Sequence, residues 1–565
     1  MCNYSWQPTS MSEANCMESS IQTSQITETM PLTNGSSLQL PLKWYPWQHP
    51  QIRLLLNRIA QPLFILHNAN TELGYALPDD NTASDACTFV GYVPGCTLER
   101  LGDGAFSKAH SVRYNYYAGA MANGIASVEL VSALAKDGFL GIFGSAGLEL
   151  EAVAQAIKTL HQDCCGPFGV NFIHSPNEPE LESALVDLYI QQEVRLVEAS
   201  AFLDLTLPIV RYRVMGIYRD AAGNIFAPNK IIAKVSRVEV ARKFMEPPPD
   251  KYLRQLVQRG DITEIQAEMA SQIPMAEDIT AEADSGGHTD NRPAIALFPT
   301  MLALRDQIQS AQHYSVPVRV GLAGGIATPA SVAAAFAMGA AYVVTGTINQ
   351  ACVESGSSDL VREMLAEAEQ ADVIMAPAAD MFEMGVNVQV LKRGSMFSMR
   401  GARLYQIYKT CSSLDMIPAE ERVKLEKTVF RASFEEIWES TREFFLKRAP
   451  GEISRAENDP KHKMALVFRS YLGQASRWAN QGVADRKIDF QVWCGPAMGA
   501  FNEWTRGSYL ELVENRQVSV VAKNLLYGAA LIARINSIRQ QGFNLPETHA
   551  VVGPVTPQQL EEYLH

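Results

Sequence analysis

The stretch from residue 113 to 347 constrains the fold most, because short apolar runs alternate there with amphipathic segments. The apolar runs have the length and the β-branched and aromatic content of buried strands. Residues 127–138, for example, place aliphatic side chains on one helical face and end at Gly138. A strand–helix alternation predicts a parallel sheet. The eight predicted strands are residues 113–121, 139–144, 167–172, 194–200, 230–235, 278–283, 318–325 and 341–347.

Eight strand–helix units predict an α/β fold of the closed (β/α)8 barrel type, and a doubly wound open sheet is the alternative. The barrel is expected to occupy residues 111–355, with an insertion at 246–276 that carries two extra helices. The Ser- and Asn-rich residues 1–40 are expected to form a disordered leader, and 41–110 a small ordered region. Residues 356–565 have mainly helical periodicity.

Composition narrows the class of protein. The 565 residues carry a net charge of −13, whereas a nucleic-acid-binding protein would show a basic excess. The nine cysteines form no CxxC pair, which favours reduced thiols in the cytoplasm and argues against a zinc site. The longest apolar tract, residues 329–344, is too short to cross a bilayer. A cytoplasmic protein without a membrane span is therefore expected.

Two glycine turns follow the seventh and eighth predicted strands. Gly324 and Gly325 lie between a strand and a helix that begins near residue 328, and Gly346 and Thr347 end the next strand. Backbone N–H groups at such turns and at helix starts bind phosphate. The turns that follow strands seven and eight form the usual phosphate site of this barrel class. The alternative is that these glycines only allow tight packing.

The ends of other predicted strands carry further candidates. Small residues at 118–127 would let a flat ring approach the backbone, and Asn171 offers an amide at the end of strand three. Lys234 is a charge within an apolar strand, which is costly unless the charge is paired or functional. The alternative for Lys234 is a side chain that extends outward to solvent.

The stretch EADSGGHTDNRP (282–293) places a glycine pair directly before a histidine at the end of strand six. Gly286 and Gly287 would let backbone and ligand approach closely. A lone histidine is more often structural than catalytic. At a barrel mouth beside a phosphate site, however, His288 becomes a candidate for catalysis or ligand contact.

These segments, in this order, resemble the FMN-dependent barrels of the nitronate monooxygenase and flavin enoyl-ACP reductase superfamily over residues 113–352. The stretch GGHTDNRP and residues 376–410 resemble, more narrowly, the PfaD family, the separate enoyl reductases of polyunsaturated fatty acid and polyketide synthases. One departure is Asp284–Ser285, where the superfamily commonly has EAGGH or ESGGH. A carboxylate is kept there, but its reach is one methylene shorter.

The resemblance implies bound FMN and an active-site histidine, His288. It assigns Met121, Ala122 and Asn123 to the flavin ring, with Asn171, Lys234, Gly286 and Gly287 beside the ring or ribityl chain, and Gly324, Gly325, Gly346 and Thr347 at the phosphate.

The activity that the resemblance implies is reduction of the α,β double bond of enoyl thioesters on acyl carrier domains, with NADPH as hydride donor. His288 would serve as the acid or as the donor to the thioester carbonyl. A nitronate monooxygenase and a non-catalytic assembly subunit of a synthase are the alternatives. The resemblance also makes a homodimer plausible.

Residues 384–414 contain five basic side chains and no Asp or Glu. An acidic acyl carrier domain would be attracted to such a surface, and the alternative is an ordinary solvated helix face. The candidate docking residues are Lys392, Arg393, Arg400, Arg403 and Lys409.

Overall fold

The computed structural model describes residues 42–46, 48–67, 73–78, 88–176 and 178–564, so the predicted leader at 1–40 lies outside the described residues. The strands in these ranges, numbered along the chain, are β1 Leu42–Pro46, β2 Leu63–His67, β3 Leu73–Pro78, β4 Thr88–Val93, β5 Tyr116–Ala118, β6 Leu140–Phe143, β7 Phe168–Ile173, β8 Leu196–Ser200, β9 Tyr218–Arg219, β10 Ile225–Phe226, β11 Lys230–Val235, β12 Asp278–Glu282, β13 Gly287–His288, β14 Arg319–Ala323, β15 Val343–Thr345, β16 Val373–Pro377 and β17 Asn387–Leu391.

The α-helices of the same ranges are α1 Gln51–Asn57, α2 Gly104–His110, α3 Val128–Lys136, α4 Leu150–Asp163, α5 Pro179–Gln191, α6 Leu207–Val214, α7 Val238–Met245, α8 Asp250–Arg259, α9 Glu264–Ala270, α10 Ala294–Gln312, α11 Pro329–Ala337, α12 Asp359–Ala366, α13 Phe397–Thr410, α14 Ala419–Leu425, α15 Phe434–Arg448, α16 Pro450–Asn458, α17 Pro460–Gln481, α18 Ala497–Thr505, α19 Val518–Gln540 and α20 Pro557–Leu564.

A closed parallel barrel forms the centre of the molecule. Its strand order is β11-β12-β14-β15-β5-β6-β7-β8, and each of the eight predicted strands overlaps one of these strands. The barrel prediction is therefore confirmed, and the open-sheet alternative is excluded because β8 pairs with β11 and closes the circle. The two predicted extra helices of the insertion are α8 and α9.

A buried charge cluster closes the end of the barrel where the strands begin. Asp278 is fully buried and accepts hydrogen bonds from Arg319 at 2.6 and 2.8 Å, and its Oδ2 lies 2.7 Å from His110 Nε2. Burial alone would raise the pKa of Asp278, but the charges and hydrogen bonds of His110 and Arg319 lower it. Polar groups at this end of a barrel serve stability, which leaves function to the opposite end.

Helix α19 joins the barrel to the N-terminal antiparallel sheet, whose order is β1-β3-β2-β4. It packs on α11 of the barrel, and its Arg534 donates to the carbonyl groups of Ile59 and Gln61. Among the described residues, only α19 is long and apolar enough to cross a membrane. Because 83% of its apolar window is buried inside the fold, α19 is better explained as a core helix.

The region after residue 356 is mainly helical, as predicted, and includes the 15-residue helix α15. It also contains β16 and β17, which the sequence analysis missed. These strands form an antiparallel sheet with β13, the short strand that contains His288. The C-terminal region thus reaches back to the barrel mouth.

Candidate active site

The two glycine turns lie side by side, because β14 and β15 are neighbours in the barrel, with Leu322 opposite Val343. A Cβ on Gly325 or Gly346 would meet no atom within 4 Å. Neither of these two residues donates a backbone hydrogen bond within the part of the chain that the structure describes. Gly325 and Gly346 therefore border an open space with unpaired N–H donors, the arrangement that binds phosphate.

Gly324 has a different role from its neighbour. Its φ is +83°, and a Cβ there would lie 2.6 Å from the carbonyl carbon of Ala283. Tight packing against the loop after β12 therefore accounts for this glycine. The start of α11 also adds little to the phosphate site, because Ser331 Oγ accepts from the amides of Ala327 and Thr328 at 3.0 Å each. The open donors at Gly325 and Gly346 belong to the turns.

The loop after β5 is held rigid at the barrel mouth. Asn123 adopts a left-handed backbone with φ +58° and donates to the carbonyl of Ala146 at 2.7 Å. A Cβ on Gly144 would lie 1.8 Å from the carbonyl oxygen of Met121, so glycine is required for this approach. Met121 is largely buried, and Ala122 and Asn123 are half-buried.

Asn171 and Lys234 lie on the inner part of the mouth. The buried Asn171 donates from Nδ2 to the carbonyl of Glu198 and the hydroxyl of Ser200, each at 3.1 Å. Lys234 Nζ lies 3.7 Å from Glu198 Oε2 and 3.5 Å from Glu282 Oε1. Its side chain is only 16% exposed, which excludes the outward-extended alternative.

Glu198 and Glu282 were missed by the sequence analysis, although Glu198 lies in the predicted strand 194–200 and Glu282 begins the stretch 282–293. Glu198 is fully buried and also accepts from Tyr117 Oη at 3.0 Å and the Ala120 amide at 3.2 Å. The signal that singled out Lys234, a charge within an apolar strand, applies equally to Glu198 on the adjacent β8. Two opposite charges on neighbouring strands predict a pair.

The charge on Lys234 is maintained by this pairing. Burial lowers the pKa of Lys234, but the two carboxylates outweigh burial and raise it. For Glu198, burial raises the pKa, and Lys234 offsets only part of that effect. A cation is thus retained at the mouth of the barrel.

Replacing Lys234 with methionine is expected to lower the free energy of unfolding by about 3–5 kcal/mol, because it leaves a buried carboxylate uncompensated. Chemical denaturation at pH 7 measures the loss. The deficit of K234M should shrink as pH falls, because Glu198 would then have a raised pKa in the folded state and take up a proton there first. The double variant E198Q/K234M should recover part of the stability; no recovery would contradict the pairing.

The glycine pair before His288 is clamped by the C-terminal region. Gly286 approaches the backbone of Cys494 so closely that a Cβ would lie 2.9 Å from its amide nitrogen. Gln389 Nε2 donates to Asp284 Oδ1 at 3.0 Å and to the Ser285 carbonyl at 2.8 Å. The carboxylate of Asp284 therefore orders the loop.

His288 lies at the end of this clamped loop with 44% of its side chain exposed. Its Nε2 is 3.2 Å from Oδ1 of Asp380, which sequence reasoning also missed. Burial lowers the pKa of His288, but the hydrogen bond and charge of Asp380, aided by the charge of Glu282, raise it. The imidazole therefore holds a proton to higher pH than an ordinary histidine.

Several of the predicted docking residues form ion pairs, although residues 384–414 themselves contain no Asp or Glu. Arg393 Nε lies 2.5 Å from Asp372, Arg403 Nε lies 2.8 Å from Glu421, and Arg400 pairs with the fully buried Asp489. Acids outside the run thus neutralise three of the five cations. Lys392 is exposed, and Lys409 lies over the ring of Tyr405 at 5.8 Å.

Two family models match the chain. The nitronate monooxygenase model matches residues 105–406, and the inserted helical domain of [acyl-carrier-protein] S-malonyltransferase matches residues 411–490. The first covers the barrel together with β16, β17 and most of α13. The second covers helices α14 to α17.

Similar proteins include a polyunsaturated fatty acid synthase component of Thraustochytrium sp., 43% identical over 93% of this chain and 36% of that protein. Polyketide biosynthesis protein PksE of Bacillus subtilis is 40% identical over 85% of this chain and 61% of that protein. The chain thus spans only about a third to three fifths of these two relatives.

A crystal structure of the enoyl reductase domain of MlnA, from the macrolactin biosynthesis cluster of Bacillus amyloliquefaciens, has a TM-score of 0.74 and 39% identity. The match covers 78% of this chain and all of that domain. Together with the matched barrel model, these findings confirm the resemblance predicted from the motifs: the chain belongs to the nitronate monooxygenase family, in the PfaD group of that family.

Proposed function

We propose that the protein is an FMN-dependent enoyl reductase that reduces the α,β double bond of enoyl thioesters carried by acyl carrier domains, with NADPH as hydride donor. The observation that carries the proposal is the open pair of turns at Gly325 and Gly346, with unpaired amides, at the same barrel mouth as His288. The similarity to an enoyl reductase domain and to synthase proteins supports it.

The residues present fit FMN. The turns at Gly325, Gly346 and Thr347 would hold its phosphate, with Gly324 shaping the first turn. The rigid backbone at 121–123 would lie against the flat ring with Gly287 beside it, whereas the close approach at Gly286 is taken up by Cys494. Lys234 and Asn171 would lie at the ring or ribityl chain. When bound, FMN accepts hydride from a nicotinamide and passes it to an acceptor.

The chain's own groups control the proton. His288 would hold a proton on its imidazole and release it to the α-carbon, or donate a hydrogen bond to the thioester carbonyl. The clamp by Gln389 on the loop before it keeps that position fixed. Lys234 is held at the mouth by its pairing with Glu198 and Glu282.

The nitronate monooxygenase alternative uses the same barrel, and the non-catalytic alternative needs no site at all. The 39% identity to an enoyl reductase domain favours the reductase; the sheet of β13, β16 and β17 does not separate the two, because the nitronate monooxygenase model also matches it. Open donor-lined turns argue against a barrel kept only for assembly. We expect the protein to act in the cytoplasm beside the carrier domains of a synthase, and a homodimer remains a prediction.

An absorption experiment without air separates the three functions. The proposal predicts bound flavin whose bands bleach on addition of NADPH and return on addition of an enoyl thioester attached to a carrier domain. Bleaching by a nitronate but not by NADPH would identify the monooxygenase. A protein that neither retains nor rebinds FMN would contradict both enzymatic functions.

Lys392 and Lys409 are the candidate docking cations that no carboxylate of the described residues pairs with. Reversing both charges (K392E/K409E) should lower kcat/KM for carrier-bound substrate about 10-fold at low salt, and less at high salt. The same kinetics with a small enoyl thioester should be unchanged. Lys158, exposed on α4, provides the matched control K158E. Equal losses with both substrates would contradict docking. Arg400 is unsuitable because it pairs with the fully buried Asp489, so its replacement would also affect stability.

A further inference from the structure

The imidazole of His288 contacts a carboxylate that comes from outside the barrel. His288 lies in β13, opposite Val388 of β17, and Asp380 lies in the loop that joins β16 to β17. The distance from His288 Nε2 to Asp380 Oδ1 is 3.2 Å. Nδ1 of His288 has no partner among the residues that the structure describes. One ring nitrogen is therefore occupied, and the other is free to face a ligand.

The loop that carries Asp380 is anchored on both sides of that residue. Before it, the carbonyl of Ala379 accepts from Arg469 Nε at 2.8 Å. After it, Phe382 is fully buried, and Glu383 Oε1 lies 3.0 Å from Nδ1 of the buried His462. Arg469 and His462 both belong to α17. The C-terminal helices therefore fix the place of Asp380, although its own side chain is 55% exposed.

Other charged groups near His288 are engaged elsewhere or act more weakly. Asp290 accepts from Ser236 and Arg237 at 2.6–3.1 Å, and Asp284 is bound by Gln389 and Asn291. Glu282 faces Lys234 and affects the imidazole only through its charge. Arg292 is exposed. Asp380 is therefore the carboxylate with the direct influence on His288.

We propose that Asp380 is the positioning residue that orients the imidazole of His288 and keeps it protonated, so that Nδ1 delivers the proton during enoyl reduction. The proposal rests on the function proposed above. In each turnover one proton would leave Nδ1 for the α-carbon, and the β-carbon would gain the hydride that the nicotinamide supplies. The C=C bond becomes a C–C bond, Nε2 stays paired with Asp380, and water returns the proton to Nδ1.

A role of this kind predicts more than a loss of activity. A carboxylate that accepts from Nε2–H selects the tautomer and raises the imidazole pKa. A residue that only braced the loop would affect stability without moving that pKa. The titration of His288 itself is therefore the direct readout, and it does not depend on the reaction.

The experiment compares Asp380→Asn with the matched control Asp290→Asn, which neutralises another carboxylate of the same site. NMR titration of the histidine signal that is lost in His288→Gln gives the pKa in the full-length protein. We expect D380N to lower that pKa by about one unit and D290N to leave it unchanged. D380E should restore part of the shift. Thermal unfolding confirms that each variant folds, and a variant that does not fold is replaced by D380S.

The kinetic arm follows the two half-reactions separately. Bleaching by NADPH should be unchanged in D380N, whereas reoxidation by the enoyl thioester should slow about 10-fold above pH 7, with its pH limb moved to lower pH. An unmoved His288 pKa in a folded D380N protein would overturn the proposal. If wild-type protein were not reoxidised by the enoyl thioester, the proposed function would fail, while the NMR titration would still decide the role of Asp380.

Discussion

Replacing His288 with alanine is expected to slow enoyl reduction by roughly 100- to 10,000-fold, the contribution of a positioned acid or base. Hydride entry from NADPH should survive, because the donors at the glycine turns and the cation at Lys234 are untouched. The wild-type rate of reoxidation should fall as pH rises through the raised pKa of His288, and this pH limb should be absent from H288A. Stopped-flow absorbance without air measures both half-reactions.

A matched control uses a histidine far from the mouth. His313 is exposed at the end of α10 and has a left-handed backbone with φ +53°, which asparagine tolerates. H313N should therefore match the wild type in both half-reactions. If H288A kept the wild-type rate of reoxidation, a protein acid at this position would be excluded, and water would be the proton source.

Replacing Gly346 with aspartate is expected to remove bound FMN from the purified protein. A Cβ at this position meets nothing within 4 Å, so the fold accepts the side chain. The new carboxylate would occupy the space proposed for the phosphate, and like charges placed together cost several kcal/mol. A penalty of about 3 kcal/mol corresponds to an affinity loss of roughly 100-fold. Fluorescence titration of the apoprotein with FMN measures it.

Gly553 offers the control for this change, because a Cβ there also meets no atom within 4 Å and the residue lies near the C-terminus. G553D should bind FMN with wild-type affinity. Circular dichroism establishes that G346D is folded. Normal FMN binding by folded G346D would place the phosphate elsewhere.

The barrel was predictable because each strand–helix unit carries its own local signal. The strand in KIIAKV (230–235) is mainly apolar and is followed by an amphipathic helix. Most of the other strand–helix units of the barrel have the same pattern. The turns at Gly325 and Gly346 were predictable for the same reason, since their place after neighbouring strands follows from the fold. Only the structure shows that Gly324 packs against the loop after β12, whereas Gly325 borders open space.

The parts that escaped prediction depend on contacts between distant residues. Strand β17 pairs with the two-residue strand β13, which contains His288 and lies about a hundred positions earlier. Local periodicity does not predict a pairing between segments so far apart. Asp380 reaches His288 through that sheet. The acids that neutralise Arg393 and Arg403 also lie outside the basic run. Counting the basic residues of 384–414 along the sequence therefore overestimated the number of cations that are available to bind a carrier domain.

A crystal structure of the protein with bound FMN tests the central claim most directly. We expect phosphate oxygens within hydrogen-bonding distance of the amides of Gly325 and Gly346, the flavin ring against residues 121–123, and the imidazole of His288 facing that ring. A phosphate bound away from the two turns, or an imidazole directed away from the ring, would contradict the account.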